Sequence, residues 1–401
     1  MRRNVILLTI DACRKDTWGC YGESDLTPFL DSIQDHCIRF DKNYSTGPYT
    51  QASFPAILSS SYYLDFGRIK GTCPPGRVLV SEVLKKQGVT TAAFHSNPYL
   101  AAFFGWNRGW DTYYDSMEAD VSDMQPYVSA WEINKKAGQW LQSQKGKDKP
   151  FFLWMHYMDV HEPYIATPEF TKAVDPDLNL TKEEQFALFK DVLLKRDTEN
   201  KAGIEMLRKI YWSKVHEIDA VIKELFGILS ETGHGNDIVI ITADHGDEFN
   251  DHGGLSHDGK MFDELVNVPL IIYDPSLTKG IATDVITSSL DIPPTVAHLF
   301  GIEAAAAWQG QSLLPLENYS RKGAFAESID KQGVHEKGTE PEVHMYREGD
   351  MKIIYRQGDD SWKQYNLKED PKEQKDIYGN DTTSEYLIKK VVPRVGRYVK
   401  K

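Results

Sequence analysis

Cysteine is scarce and unevenly placed: Cys13, Cys20, Cys37 and Cys73 are the only four in 401 residues, and all lie in the first fifth of the chain. That pattern excludes the cysteine framework of a disulfide-stapled secreted domain and fits a reducing, cytoplasmic compartment. Long apolar runs are missing too. The run Val5 to Ile10, behind Met1-Arg2-Arg3-Asn4, ends at Asp11 and is too short for a signal-peptide core or a bilayer span. It reads as a buried strand, and no membrane attachment is expected. Positive charge is in deficit, with 46 Lys and Arg against 59 Asp and Glu and a net charge of -13. General affinity for nucleic acid or anionic membranes is thereby excluded, so a small anionic substrate must be captured by local charge.

What is present is core-forming material, 41% hydrophobic and 11% aromatic. Apolar runs of strand length, Val5 to Ile10, Thr90 to His95, Phe151 to Tyr157, Ile238 to Thr242 and Leu270 to Tyr273, alternate with helical patterns. The helical stretches are Gln51 to Ser59, Leu79 to Gln87, Val128 to Gln144, Ala202 to Thr232 and Ile292 to Phe300. This alternation predicts an α/β fold with a mostly parallel central sheet covered on both faces. Residues 1–310 read as one catalytic α/β domain. The polar stretch 166–199 reads as a surface insertion, either a cap over the site or a solvated helix pair. After Gly310 the pattern changes to short alternating segments such as Lys352-Ile353-Ile354-Tyr355, so 311–401 reads as a small subdomain with an antiparallel sheet.

In parallel α/β sheets ligands bind beyond the carboxyl ends of the strands. Three such ends carry metal-binding residue types: Asp11, then Asp159 with His161, then Asp244-His245-Gly246-Asp247-Glu248. Carboxylates and imidazoles converging from separate strands suit a hard or borderline divalent cation. Asp11 alone reads equally well as a helix N-cap. In Gly47-Pro48-Tyr49-Thr50, a turn enters a helix whose N-terminal dipole favours an oxyanion, and a cation at the Thr50 hydroxyl would lower its pKa. The plain alternative is that Thr50 only caps the helix. The Gly-rich loop Asp251 to Lys260 brings His252, His257 and Lys260 within reach of a tetrahedral anion, or is a solvated loop. Tyr99, Phe103, Phe104 and Trp106 read as ordinary core packing, with a pocket wall as the alternative.

These landmarks, with Gly109-Trp110-Asp111, Val268-Pro269-Leu270 and Tyr365-Asn366-Leu367-Lys368-Glu369-Asp370-Pro371, resemble the sulfatase-like branch of the alkaline phosphatase superfamily over essentially the whole chain. The resemblance implies that superfamily's three-layer sandwich, Thr50 as nucleophile, and metal ligation by Asp11, Asp244, His245 and Thr50. It also implies substrate contacts from His161 and Lys260, with His257 close by. Three departures stand out. Where sulfatases carry a Cys matured to formylglycine, this chain has Thr50, and the Cys73-Pro74-Pro75-Gly76-Arg77 run lies elsewhere. The paired aspartates are Asp11-Ala12. The Gly-Lys-Trp-His segment that contacts sulfate is represented by His95-Ser96-Asn97-Pro98.

The departures favour phosphoryl chemistry: a phosphodiester or phosphonate monoester split through a covalent Thr50 intermediate, by hydrolysis or phosphotransfer, with His161 protonating the leaving alcohol. Two alternatives stand beside it, a sulfuric ester hydrolase using unmodified Thr50 and a catalytically silent binding protein with this fold. One divalent cation (Mn, Zn, Ca or Mg) is expected, and Asp159, His161 and His252 or His257 offer a second set of ligands. The partner is a small anionic ester, and a homo-oligomer is allowed.

Overall fold

The computed structural model describes residues 3–22, 24–67, 72–117, 119–330, 339–379 and 382–396. Its strands are β1 (Val5–Ile10), β2 (Cys37–Tyr44), β3 (Thr90–His95), β4 (Thr112–Tyr114), β5 (Phe151–Tyr157), β6 (Ile238–Ala243), β7 (Glu248–Phe249), β8 (Leu255–Ser256), β9 (Leu270–Tyr273), β10 (Ile281–Ser288), β11 (Gly323–Ile329), β12 (Glu342–Glu348), β13 (Met351–Arg356) and β14 (Ser361–Asn366). Eight form the main sheet in the order β10-β2-β9-β6-β1-β5-β3-β4. All are parallel except β9, which runs against both neighbours.

The central strand explains the layering. Successive side chains of β1 point to opposite faces, and Ile6, Leu8 and Ile10 pack with the helices Ala130–Gln144 and Lys201–Glu231. Val5 and Leu7 face the opposite layer, with Phe54, Ile57 and Leu58 of the helix Thr50–Ser59 and Val296 of the helix Ile292–Leu299. By the same alternation Thr9 and Asp11 fall on the Val5 and Leu7 side, toward Thr50.

The second sheet is antiparallel, β11-β12-β13-β14, and follows the main fold as the change of pattern after Gly310 predicts. The four described cysteines are free thiols. Among the described residues no helix is long and apolar enough to cross a membrane.

The 166–199 stretch is ordered helix, Pro168–Val174 and Lys182–Leu188 followed by a wider turn over Phe189–Leu194. Phe189, Val192 and Leu193 are buried against the long helix. Arg196 reaches the loop beyond β6, donating to the Leu255 carbonyl at 3.0 Å and to Asp258 at 2.8 Å.

Candidate active site

Asp11 follows β1, Asp244 and His245 follow β6, and His161 follows β5, so three adjacent strands deliver their carboxyl-end residues to one place. Asp11, Asp244 and His245 are fully buried, and their ligand atoms all lie within 4.8 Å of one another. His245 Nε2 is 3.5 Å from Asp11 Oδ1 and 3.5 Å from Asp244 Oδ2. His245 Nδ1 donates to the Gly246 carbonyl at 2.8 Å, which leaves Nε2 as a lone pair aimed at the two carboxylates.

Thr50 joins this group. Its hydroxyl donates to Asp11 Oδ2 at 3.3 Å. The helix starts at Thr50, its N-cap is Tyr49, and no side chain caps it, so the capping alternative is not what the hydroxyl does. Asp11 is no cap either, since its Oδ2 receives side-chain donors. Asp244 is fixed by backbone N–H groups, Ala12 at 3.2 Å and His245 at 2.9 Å on Oδ1. The Ala12 N–H takes that direction because Ala12 adopts a left-handed φ of 54°.

The electrostatics fit a cation. Burial alone would raise the Asp11 pKa, yet the imidazoles of His161, His156 and His245 hold it far below the usual carboxylate range. Burial and then the charge of Asp11 push Asp244 well upward. Burial, followed by His257, lowers His245 to about 3, so the ring is neutral. Asp11 Oδ1 and His245 Nε2 have no hydrogen-bond partner although both are buried. Two orphaned lone-pair atoms, 3.5 Å apart in a fully buried site, are what a divalent cation satisfies. The donor set of carboxylates, imidazole and hydroxyl fits such an ion.

His161 sits beside this cluster. Its Nδ1 donates to the Glu162 carbonyl at 2.7 Å. Burial disfavours its proton, but the charges of Asp11 and Glu162 outweigh that and raise its pKa. The His257 ring lies 4.6 Å from that of His245 and 5.1 Å from that of His161. Its Nδ1 is 3.2 Å from Asp247 Oδ1, and Tyr164 donates to the other oxygen of Asp247.

Other expected residues go elsewhere. Lys260 is held by Glu248 at 2.9 Å and by the His252 carbonyl at 2.8 Å, because the Gly-rich loop folds its ammonium onto a buried carboxylate. The second ligand set does not assemble: Asp159 accepts from Ala130 N at 2.7 Å at a helix start, and His252 pairs with Glu264 at 2.6 Å. Cys73 is buried beside Arg108, whose guanidinium reaches its sulfur at 3.1 Å. Of the aromatics read as core, Trp106 is buried, but Phe103 is 90% exposed and Tyr99 47% exposed. An open cavity of about 910 Å³ is walled by Tyr113, Met117 and Tyr127. The Tyr127 hydroxyl donates to the His161 carbonyl at 3.2 Å.

Two residues in the site have no role assigned from the sequence, although Asn97 lies in the segment His95-Ser96-Asn97-Pro98. Asn97 donates from Nδ2 to Asp11 Oδ2 at 2.8 Å and to Thr50 Oγ1 at 3.3 Å. His156 Nε2 is 3.2 Å from the same Asp11 oxygen. Asn97 could have been found, because it lies just beyond the end of β3. His156 is inside a strand, and only its pairing with Thr9 in the parallel register exposes its position.

With this geometry in view, the comparisons with known proteins agree in direction. The family description Sulfatase matches residues 3–302, and N-sulphoglucosamine sulphohydrolase, C-terminal, matches residues 252–400. An N-acetylglucosamine-6-O-sulfatase of Bacteroides thetaiotaomicron is 24% identical, over 94% of this chain and 83% of that protein. A choline-sulfatase of Rhizobium meliloti is 28% identical, over 88% and 78%. A protein solved with its substrate D-glucosamine-2-N,6-O-disulfate superposes with a TM-score of 0.80 at 20% identity, covering 98% of this chain and 97% of that one. The phosphonate monoester hydrolase of Agrobacterium radiobacter superposes at 0.74 with 18% identity, covering 98% and 94%. At such identities the structural matches show the fold, the α/β sandwich predicted from the strand pattern.

Proposed function

We propose, from the premise that this chain belongs to the sulfatase family and is a hydrolase of the alkaline phosphatase superfamily, that it hydrolyses a sulfuric ester of a small alcohol, with Thr50 as an unmodified nucleophile. The observation that carries the reading is the Thr50 hydroxyl, 3.3 Å from Asp11 inside a buried carboxylate and imidazole cluster. Phosphoryl transfer, preferred on sequence grounds, becomes the second reading. The matched family and the sulfatase relatives support sulfate, whereas Thr50 in place of a maturable Cys and Asn97 in the segment where the family places a sulfate-binding Lys favour a phosphodiester or phosphonate monoester.

Asp11, Asp244 and His245, with the Thr50 hydroxyl, would hold one divalent cation. When bound, it supplies positive charge for the tetrahedral anion and a lower pKa for the Thr50 hydroxyl. The chain's own groups then divide the work. Thr50 Oγ1 passes its proton to Asp11 Oδ2 and forms a bond to sulfur as the bond from sulfur to the alcohol oxygen breaks. His161, carrying a proton stabilised by Asp11 and Glu162, gives it from Nε2 to the departing oxygen. Water then attacks the sulfur of the sulfated Thr50, His161 takes one water proton, and the bond from sulfur to Oγ1 breaks as Asp11 returns its proton to Oγ1, releasing hydrogen sulfate. Burial of the cluster keeps bulk water from competing with these contacts.

A panel of an aryl sulfate, an aryl phosphate monoester, an aryl phosphodiester and an aryl phosphonate, run on wild type and Thr50→Ala, tests the reading. The sulfate is expected to turn over best, with a loss of about 10³-fold or more in the variant. Full activity in Thr50→Ala removes the covalent step. Dominance of the phosphodiester or phosphonate transfers the assignment to the second reading.

A further inference from the structure

The two oxygens of Asp11 are treated unequally. Oδ2 is approached by Asn97 Nδ2 at 2.8 Å, His156 Nε2 at 3.2 Å and the Thr50 hydroxyl at 3.3 Å. Oδ1 has no hydrogen-bond partner and faces the orphaned His245 Nε2. A carboxylate accepts on both oxygens, so crowding every donor onto one of them fixes the rotation of the group and turns the other toward the place of the cation.

Both donors are themselves held. Asn97 Oδ1 accepts the Tyr99 N–H at 2.9 Å, which settles the amide orientation and leaves Nδ2 for Asp11 and Thr50. Asn97 is almost fully buried. His156 Nδ1 accepts from the Thr9 hydroxyl at 2.9 Å, which leaves Nε2–H for Asp11, and Thr9 Oγ1 accepts from the Trp154 indole at 3.0 Å. The His156 ring is pinned edge-on by Phe54, with centroids 4.9 Å apart. A ring so confined holds the carboxylate in one rotamer without rearrangement.

We propose that Asn97 and His156 form a bracket that locks Asp11 with Oδ1 presented to the cation, and that Asn97 also hydrogen-bonds the Thr50 oxygen as it becomes anionic. Asn97 is then a catalytic residue, since it touches the reacting oxygen, and that half rests on the reading of Thr50 as nucleophile. His156 is a positioning residue that acts through Asp11, and its half depends on metal binding alone.

The test pairs a chelator competition for Mn²⁺ with kcat and KM on an aryl sulfate, using the full-length protein. In His156→Gln the amide reaches the place of Nε2, while in His156→Asn it reaches only that of Nδ1. The Gln variant is expected to hold Mn²⁺ within about threefold of wild type and the Asn variant to bind about 10- to 100-fold more weakly. Equal affinity in the two variants overturns the positioning role, whether both are tight or both weak. Asn97→Ala is expected to lose about 10²-fold in kcat with KM within about threefold. A kcat retained within threefold, or a loss confined to KM, overturns the catalytic role. A wild type that binds Mn²⁺ but splits none of the esters sinks the proposed function and the Asn97 half with it, while the two His156 variants still decide the other half.

Discussion

Asp11 and Asp244 present two carboxylates to one buried site, and two like charges in a low-dielectric interior repel unless a cation lies between them. Removing one charge should relieve that repulsion and abolish the benefit of metal together. Asp244→Asn is expected to melt higher than wild type in chelator, by on the order of 1–2 kcal/mol, and to gain nothing from added Mn²⁺. A thermal melt with and without the ion reads both effects. Away from the site, Asp219 caps the start of the helix Pro28–Ser32 through Phe29 N at 2.8 Å and Leu30 N at 2.9 Å. Burial raises its pKa to about 6. A carboxyl that binds its proton more tightly when folded makes the native state less stable as pH rises from its unfolded pKa, about 4, toward 6. Asp219→Asn should flatten that fall, which is on the order of 2 kcal/mol, in denaturation midpoints followed across the same range. Legibility at this scale divides by position. Asp11, Thr50, Asp244 and His245 stand directly after strands or at a helix start, so their placement follows from strand ends. Asn97 falls in the segment His95-Ser96-Asn97-Pro98 without an assigned role, His156 carries no motif, and Lys260, though placed by one, is paired with Glu248, a contact between charges that spacing does not encode.

At the scale of elements, two glycines set the site's spacing. A Cβ on Gly47 would lie 2.2 Å from that of Ala52, and a Cβ on Gly246 would lie 1.9 Å from the Glu264 carbonyl oxygen. Gly47→Ala should shift the helix that carries Thr50, and Gly246→Ala should displace the segment that carries His245. Each is expected to cost about 2–4 kcal/mol and most of the activity, as urea unfolding beside an aryl sulfate assay would show. Buried strands were legible because an apolar run bounded by polar residues has few other uses, as in β1, β5 and β6. Strands β2 and β10 were not. Their sequences, Cys37–Tyr44 and Ile281–Ser288, interleave charged and exposed residues because β10 is the sheet edge and β2 lies beside it. The 166–199 stretch reads as a surface insertion, but its polar composition conceals the buried Phe189, Val192 and Leu193.

At the scale of the whole molecule, the catalytic sheet and the second sheet are joined by a buried ionic seam. Lys352 of β13, fully buried, lies 2.7 Å from Asp263 and 2.9 Å from Glu373. Next to it, His252 Nδ1 is 2.6 Å from Glu264, its Nε2 is 3.1 Å and 3.2 Å from the Lys372 and Glu373 carbonyls, and its ring stacks on Phe262 at 3.6 Å. Lys352→Ala strands two carboxylates and is expected to cost about 3–5 kcal/mol, with the second sheet losing hydrogen-exchange protection first. Burial disfavours the His252 proton, but Glu264 and then Glu373 retain it and raise the pKa. Its contribution to stability is therefore full below the ordinary imidazole pKa and is lost as pH rises through the raised one. The difference in melting temperature between wild type and His252→Gln should shrink from pH ~6 to pH ~9.

The position of β1 between β5 and β6 has a kinetic meaning as well. Residues near 10, 160 and 245 come together only after the chain has closed long loops, and such pairings are the slow ones. Helical signal should return early on dilution from denaturant, and hydrolysis should return last. Turnover thus serves as a clock for completion of the sheet, and a trapped intermediate would be recognised as well-structured protein that cleaves nothing.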